Sequence, residues 1–411
     1  MTNKEIYSEW IKTQERIPVF MQPWWLDAVC AGKEWDVIIV ESQKSKVESS
    51  LSQAETPTGP KELTGDEQVS DAASARQASD EHPISTRSAS DEHPMQAAEK
   101  EGENNGESVS GENVSGESVN GDKVSAEKGE GNEGEKEIVA AMPYMVCKKW
   151  WMKWIVMPQE TQIGGIWLDE NHEFSAEELT AVCQQVADVL AAKKMHFYYQ
   201  QFPVGSPCPE IFKSLGFKIK ERVTYRIDNL TNLDKVIDKF SKNKKRQLQK
   251  ALSLHAESNL TAEEFYALHM LWLSLQKKQI SYSREFFLVL EQKLRRHKQS
   301  QILTICNADH EPYAAALLVW DSQRMYYLIP CYNPEYKESG AGALLVLEAI
   351  KLAREIGVSF DFEGSMIRGV AQHYKQFGSL PNTYYSVEKY YKPIFRLMIW
   401  AQKLREWNKF K

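Results

Sequence analysis

From Ser42 to Lys136 the chain runs for 95 residues without a phenylalanine, tyrosine or tryptophan. Ser, Glu, Gly and Asn dominate the stretch, and so little apolar surface cannot offset the entropy of ordering it. It is expected to be disordered, and any fold must be built around it. It also carries near-copies, "ASDEHP" at 78–83 and again at 89–94, and a Gly-acid-x-Val-Ser/Asn unit between Gly106 and Ser125. Repeats this short and this polar do not stack into a solenoid. The stretch holds 21 acids and 9 bases, leaving 36 acids and 41 bases elsewhere, so the formal charge of −7 belongs to the insertion. The rest is mildly basic, which suits a phosphate-bearing partner.

The flanks of the insertion read as structure. "WDVIIVE" before it and "EIVAAMPYMV" after it are β-branched and apolar, typical of buried strands. Loop length costs closure entropy only logarithmically, so these two runs are expected to pair as a hairpin with an inflated tip. Further on, "SAEELTAVCQQVADVLAAKK" opens with Ser175 three residues before Glu178 and keeps Val182, Val186, Val189 and Leu190 on one stripe. That is a capped amphipathic helix. A strand at "MHFYYQQF", a short helix stopped by Gly216 and a strand through "RVTYRI" complete the first half.

The second half repeats this grammar. Helices are expected at 232–255, at 261–278 with Thr261 and Glu264 as a capping box, and at 283–297. Strands follow at "QILTICNA", "PYAAALLVWD" and "RMYYLIPCY". Next come a helix from the glycine turn of "SGAGALLVLEAIKLAREIG", the strand "VSFDFEG", a short helix over 367–377 and a last strand, "TYYSVEKYY". Two similar orders predict an α/β chain of two domains of one type, each a mixed twisted sheet flanked by helices. Their bounds are 1–228, with the insertion at 42–136, and 229–392; a basic amphipathic helix follows at 393–411.

Several chemistries find no support. Six cysteines show no CxxC, nine histidines no HExxH, and no Walker loop or serine triad is visible, so neither a metal nor a disulfide framework is expected. The N-terminus lacks an apolar signal region and no run of about 18 apolar residues occurs, so a cytoplasmic location is expected. No motif of a nucleic-acid reader fold is present, so DNA is not expected as a partner.

The chemistry-bearing residues gather late. In "YKESGAGALLVLEAI", Gly340 and Gly342 open a helix, where backbone N–H groups and the helix N-terminus favour an anion. The same glycines also suit a helix start that only needs small residues for packing. In "FDFEGS", Asp361 and Glu363 stand two apart on a strand and are expected on one face, with Phe360 and Phe362 on the other. An amphipathic strand without catalysis predicts the same pattern.

"YKESGAGA" resembles the pyrophosphate loop of the GNAT acyltransferase superfamily, with Lys337 where arginine or glutamine is usual. "FDFEGS…HYKQFGS" is similar to the C-terminal signature of the Fem-type aminoacyltransferases, in which two GNAT-like domains are fused. The resemblance implies amine acylation from acyl-CoA or aminoacyl-tRNA, onto an amine of a cell-envelope or polysaccharide precursor. It implies donor contacts from Lys337, Gly340, Ala341, Gly342 and Ala343. Lys375 then contacts the reacting carbonyl or the donor phosphate, and Glu363 or Asp361 serves as base or amine anchor. Tyr374 and Glu388 are substrate-site candidates. The rival class is a catalytically inactive GNAT-fold scaffold that uses the acidic insertion as its interaction arm.

Three further clusters read two ways. "FSKNKKRQLQKAL" sets Lys242, Lys245, Arg246 and Lys250 on one helical side, with Phe240, Leu248 and Leu252 inward. That is a solvated face, or a landing site for phosphates in which Lys245 and Arg246 bind substrate. "CKKWWMKWIV" reads first as core packing beside a hairpin edge and second as peripheral attachment to an anionic membrane. In "QPWWLD", Trp24 or Trp25 is expected to plug a core.

Overall fold

The computed structural model describes residues 1–30, 32–43, 136–364 and 366–409. The first half contains α1 (Asn3–Trp10), α2 (Pro23–Val29), β1 (Glu34–Gln43), β2 (Lys136–Lys149), β3 (Met152–Val156), β4 (Trp167–Leu168), α3 (Ala176–Ala192), β5 (Phe197–Gln201), α4 (Cys208–Ser214) and β6 (Lys218–Ile227). The second contains α5 (Leu233–Asp238), α6 (Lys242–Lys250), β7 (His255–Glu257), α7 (Ala262–Leu275), α8 (Arg284–Arg296), β8 (Ser300–Cys306), β9 (Pro312–Trp320) and β10 (Arg324–Tyr332). It ends with α9 (Ala341–Ile356), β11 (Ser359–Asp361), α10 (Arg368–Lys375), β12 (Leu380–Tyr390) and α11 (Pro393–Lys409).

β1 and β2 pair antiparallel from Glu34↔Val146 to Gln43↔Lys136, so the expected hairpin is present. Ser42, Gln43 and Lys136 belong to its strands; the remainder of the expected disordered insertion, 44–135, lies outside the described residues. The capping boxes at Ser175/Glu178 and Thr261/Glu264 form as their spacing requires. Gly357 ends α9 in the left-handed conformation that a β-carbon would disfavour.

All the strands join one mixed sheet in the order β1-β2-β3-β5-β12-β6-β11-β10-β9-β8-β7, with β4 on β2. The last strand lies between two strands of the first half, Ser386 opposite Gln201 on β5 and Leu380 opposite Arg226 on β6. β6 in turn pairs with β11 through Phe360↔Ile227. The sheet therefore runs unbroken across residue 228.

Three expectations change. The helix expected over 232–255 is two helices, because Phe240 turns into the core between them while Ser241 donates its N–H to the Gln376 carbonyl at 2.8 Å and caps α6. Leu252 lies beyond the end of α6 and is exposed, while Lys244 is the side chain of that helix that turns inward. The "VSFDFEG" strand stops at Asp361: Glu363 and Gly364 both have positive φ, +62° and +68°. A β-carbon at Gly364 would lie 2.1 Å from the Val223 carbonyl oxygen, so only glycine lets the chain turn there.

Candidate active site

β10 and β11 are parallel neighbours, and their pairing ends at Tyr326↔Asp361. Beyond that point β11 leaves the sheet, and β10 bulges at Leu328, between Tyr327↔Leu318 and Ile329↔Leu317, before running on beside β9. The two strands separate and a small cleft of about 40 Å³ opens between them. Leu328, Ile329 and Pro330 form one wall; Phe362, Glu363 and Gly364 form the other. Tyr374 of α10 and His269 of α7 also face it, and Glu160 reaches it from the first half.

Glu363 is almost fully buried, and its backbone is held at both ends. Its N–H donates to Asp361 Oδ1 at 2.7 Å, and its carbonyl accepts from Gln162 Nε2 at 2.6 Å. The left-handed turn removes the alternation expected along the strand, so Asp361 and Glu363 do not share a face. Asp361 has no exposed surface; its Oδ2 accepts from Arg226 Nε at 2.6 Å and its Oδ1 from the Thr224 hydroxyl. An acid enclosed in this way orients its neighbour and has no route to a substrate proton.

Tyr374 stacks on Phe362 with ring centroids 4.6 Å apart. Lys375, the next residue, is exposed, with its Nζ 5.8 Å from the Tyr225 ring centroid, and it does not line the cleft. Among the described residues, Tyr327 of the cleft lining is linked by contacts to the glycine turn through Tyr332. The Tyr327 and Tyr332 hydroxyls meet at 2.8 Å, and the Tyr332 ring lies 3.1 Å from where a Gly342 β-carbon would be. Burial pushes both phenols well above their ordinary range, so both stay protonated.

The turn itself divides into two parts. Gly340 has φ +85°, and a β-carbon there would sit 2.0 Å from the Gln247 carbonyl of α6, so this glycine serves helix packing. The Ala341 amide donates to Ser339 Oγ at 3.2 Å, and Ala341 and Ala343 are buried. Gly342 remains half-buried beside Tyr332, and Lys337 is exposed. The structure thus brings Glu363 and Tyr374 together at the cleft and links Gly342 to it by the contacts of Tyr332 and Tyr327.

It does not bring Glu388 there. That residue lies eight positions along β12 from Leu380, roughly 26 Å at strand rise, and pairs with Lys220 at 2.9 Å and Lys218 at 3.7 Å. Lys245 contacts Asp238 at 3.7 Å, and Arg246 donates to Asn243 Oδ1 at 3.4 Å.

Sequence reasoning missed two buried residues, one in the cleft lining and one under α10. His269 is buried; its Nδ1 lies 2.9 Å from the Tyr282 hydroxyl and its Nε2 has no hydrogen-bond partner among the described residues. Burial lowers its pKa to about 4, so it is neutral at physiological pH. Lys244, 1% exposed, lies 3.2 Å from His373 Nδ1 and 4.7 Å from the Phe377 ring centroid. No local pattern marks either one, since each is defined by a partner distant in sequence. Away from the cleft, Glu257 Oε1 bonds His255 Nε2 at 2.7 Å and His310 Nδ1 at 2.6 Å, a grouping that could also hold a metal ion.

Residues 238–376 match the family model described as "Acetyltransferase (GNAT) domain", a span that contains the cleft, the glycine turn and α10 up to Lys375. That span, 139 of the 411 residues, is similar to a GNAT acetyltransferase domain. Its fold is similar to the crystal structure of FemX, at 14% identity and a TM-score of 0.49, over 66% of this chain and 89% of that one. It is also similar to L-PGS from Bacillus licheniformis (11%, 0.39, 65% and 84%). A tandem GNAT protein from the clavulanic acid biosynthesis pathway is a third likeness (10%, 0.41, 63% and 80%). No curated protein sequence matches.

Proposed function

We propose that this GNAT acyltransferase moves an acyl or aminoacyl group onto a primary amine that enters the cleft between β10 and β11. The observation that carries the reading is the buried Glu363 carboxylate in the wall of that cleft, within a domain of acyltransferase type. The neutral amine nitrogen attacks the donor carbonyl carbon and a C–N bond forms. The C–S bond of a thioester, or the C–O bond of an aminoacyl ester, then breaks. Glu363 takes the proton that the nitrogen loses, and that proton, passed on directly or through water, neutralises the leaving sulfur or oxygen and returns Glu363 to the carboxylate. Asp361 is a positioning residue: locked by Arg226 and Thr224, it holds the Glu363 amide and with it the turn.

Acyl-CoA is the donor we favour. Gly342 and Lys337 would meet its pyrophosphate at the N-terminus of α9. The acceptor class is an amine of a cell-envelope or polysaccharide precursor, in line with the Fem-type signature at 360–379. Aminoacyl-tRNA remains the competing donor.

Gly342→Asp sets a negative charge at the helix N-terminus and separates the two donors. Calorimetric titration with acetyl-CoA should give binding to the wild type and at least about tenfold weaker binding to the variant, as expected for a charge opposed to a phosphate. Wild type that ignores acetyl-CoA but deacylates an aminoacyl-tRNA in the presence of an amine would replace the donor and leave the cleft chemistry intact. Wild type inert to both would remove the reading.

A further inference from the structure

The hairpin between β2 and β3 turns on two tryptophans. Trp150, with φ +55°, is 82% exposed and Trp151 is 63% exposed, so the core packing expected of them fails; only Trp154, two residues into β3, turns inward. The reason is the turn: residues at its tip have no sheet face to lie against. Two adjacent exposed tryptophans are a large apolar surface to leave in water.

The tip does not stand alone. Trp151 packs against the His196 ring at 5.1 Å, and the His196 carbonyl accepts from the N–H groups of Tyr391 and Lys392 at the start of α11. That helix is apolar on two faces. Its inner face seats Phe395, 5.5 Å from the Trp154 ring, and Ile399. Its outer face shows Ile394, Leu397 and Trp400, spaced by three and all exposed, at 46%, 65% and 63%. The tip is thus joined to the start of this helix through His196.

Cations outnumber acids around them. The segments 144–157, 189–200 and 389–401, which meet here, contain no aspartate or glutamate. Lys148 and Lys193 are matched by Glu34 and Asp36 of β1. Lys153, Lys194, Lys392 and Arg396 remain exposed on the same three segments. Among the described residues no helix is long and apolar enough to cross a membrane, so this surface lies on whatever it meets.

We propose that Trp150, Trp151 and the outer face of α11 form a docking surface for an anionic lipid bilayer. Tryptophans settle at headgroup depth, Ile394 and Leu397 reach the acyl boundary, and the lysines and Arg396 lie over the lipid phosphates. A second copy of the chain fits less well, because a twofold contact would press these cations against themselves. A nucleic acid would use the cations and leave the aliphatic side chains without a partner. The inference is independent of the acyl-transfer reading.

The full chain is tested by flotation with vesicles of phosphatidylcholine alone and of phosphatidylcholine with phosphatidylglycerol. Trp150→Ser/Trp151→Ser is compared with wild type, Leu397→Ser/Trp400→Ser serves as a second variant against misfolding, and circular dichroism checks each fold. We expect binding only to the anionic vesicles, weakened by salt, and at least about tenfold loss in either variant. Acetyl transfer to a soluble amine should be unchanged. Equal binding to both vesicle types, no binding to either, or folded variants that bind like wild type would each overturn the proposal. So would a salt-sensitive complex with tRNA, or a dimer in light scattering, that the tryptophan variant abolishes while vesicle binding persists.

Discussion

Each half of the molecule has a parallel strand pair joined through a helix, and the two pairs are treated in opposite ways. In the first half β3 and β5 pair through Trp154↔Phe197 and Ile155↔Tyr198, with α3 between them in sequence. In the second half β10 and β11 pair, with α9 between them. The first-half gap is filled: Gly164 donates its N–H to the Gln201 carbonyl at 2.8 Å, Gln201 packs on Met157 Sδ, and the Phe202 ring lies 2.8 Å from where a Gly165 β-carbon would be. Its helix is also sealed by the Ser175/Glu178 capping box, whereas α9 begins at a glycine that has no side chain to cap with. The second-half gap stays open and is lined by Glu363, His269 and Tyr374. One strand pair is packed through and its counterpart leaves a cleft.

That contrast can be broken at several points. The largest effect is expected at the ion pair that holds the open half in shape. Arg226→Met leaves Asp361 buried and uncompensated, and should cost about 3–5 kcal/mol in urea unfolding; a loss under about 1 kcal/mol would mean Asp361 is not enclosed as described. Glu363→Gln keeps the size of the side chain and removes its basicity. Turnover should fall by roughly a hundredfold or more with the melting temperature nearly kept, the usual range for a lost general base. Turnover within about twofold of wild type would send the base role elsewhere.

His269 gives the open half a pH signature. Its folded pKa is about 4, against 6.5 unfolded, so between these values the unfolded chain binds more protons and stability falls as pH drops through that window. Above pH 6.5 the contribution is complete. The loss on going down to pH 4 should be on the order of 3 kcal/mol, and His269→Gln should flatten it; parallel pH profiles for both proteins would rule the residue out. The smallest effect belongs to the sealed half. Ser175→Ala should destabilise by about 1 kcal/mol through its lost cap and leave turnover untouched. Reduced turnover would show that the first half takes part in the reaction.

The parts of this contrast differ in how legible they are in the sequence. The seal on α3 is readable because Ser175 and Glu178 are three residues apart and serve each other's backbone. The glycine turn before α9 is readable as a pattern, but the covering of Gly340 by Gln247 is not, since α6 arrives from far along the chain. Asp361 and Glu363 stand out in the sequence as acids two apart, but the spacing alone does not carry their relation in space. A strand's alternation holds only while the strand lasts, and this one ends between them. Lys244 looked like one more member of a solvated cluster, and Trp150 and Trp151 looked like core; neither burial nor exposure is encoded in composition.

Alone, the sequence determined what contacts within a turn or two can enforce: the capped helices, the hairpin that brackets the insertion, the α/β class and the kinship of the glycine and lysine motifs. Folding in three dimensions decided the rest. It placed β12 between β5 and β6, drew Arg226 onto Asp361, set His269 against Tyr282 and left one of two similar gaps unfilled. The division has a physical cause. Capping and turn energies act between near neighbours in the chain, whereas burial and ion pairing depend on which distant segments arrive, and only the packed sheet fixes that.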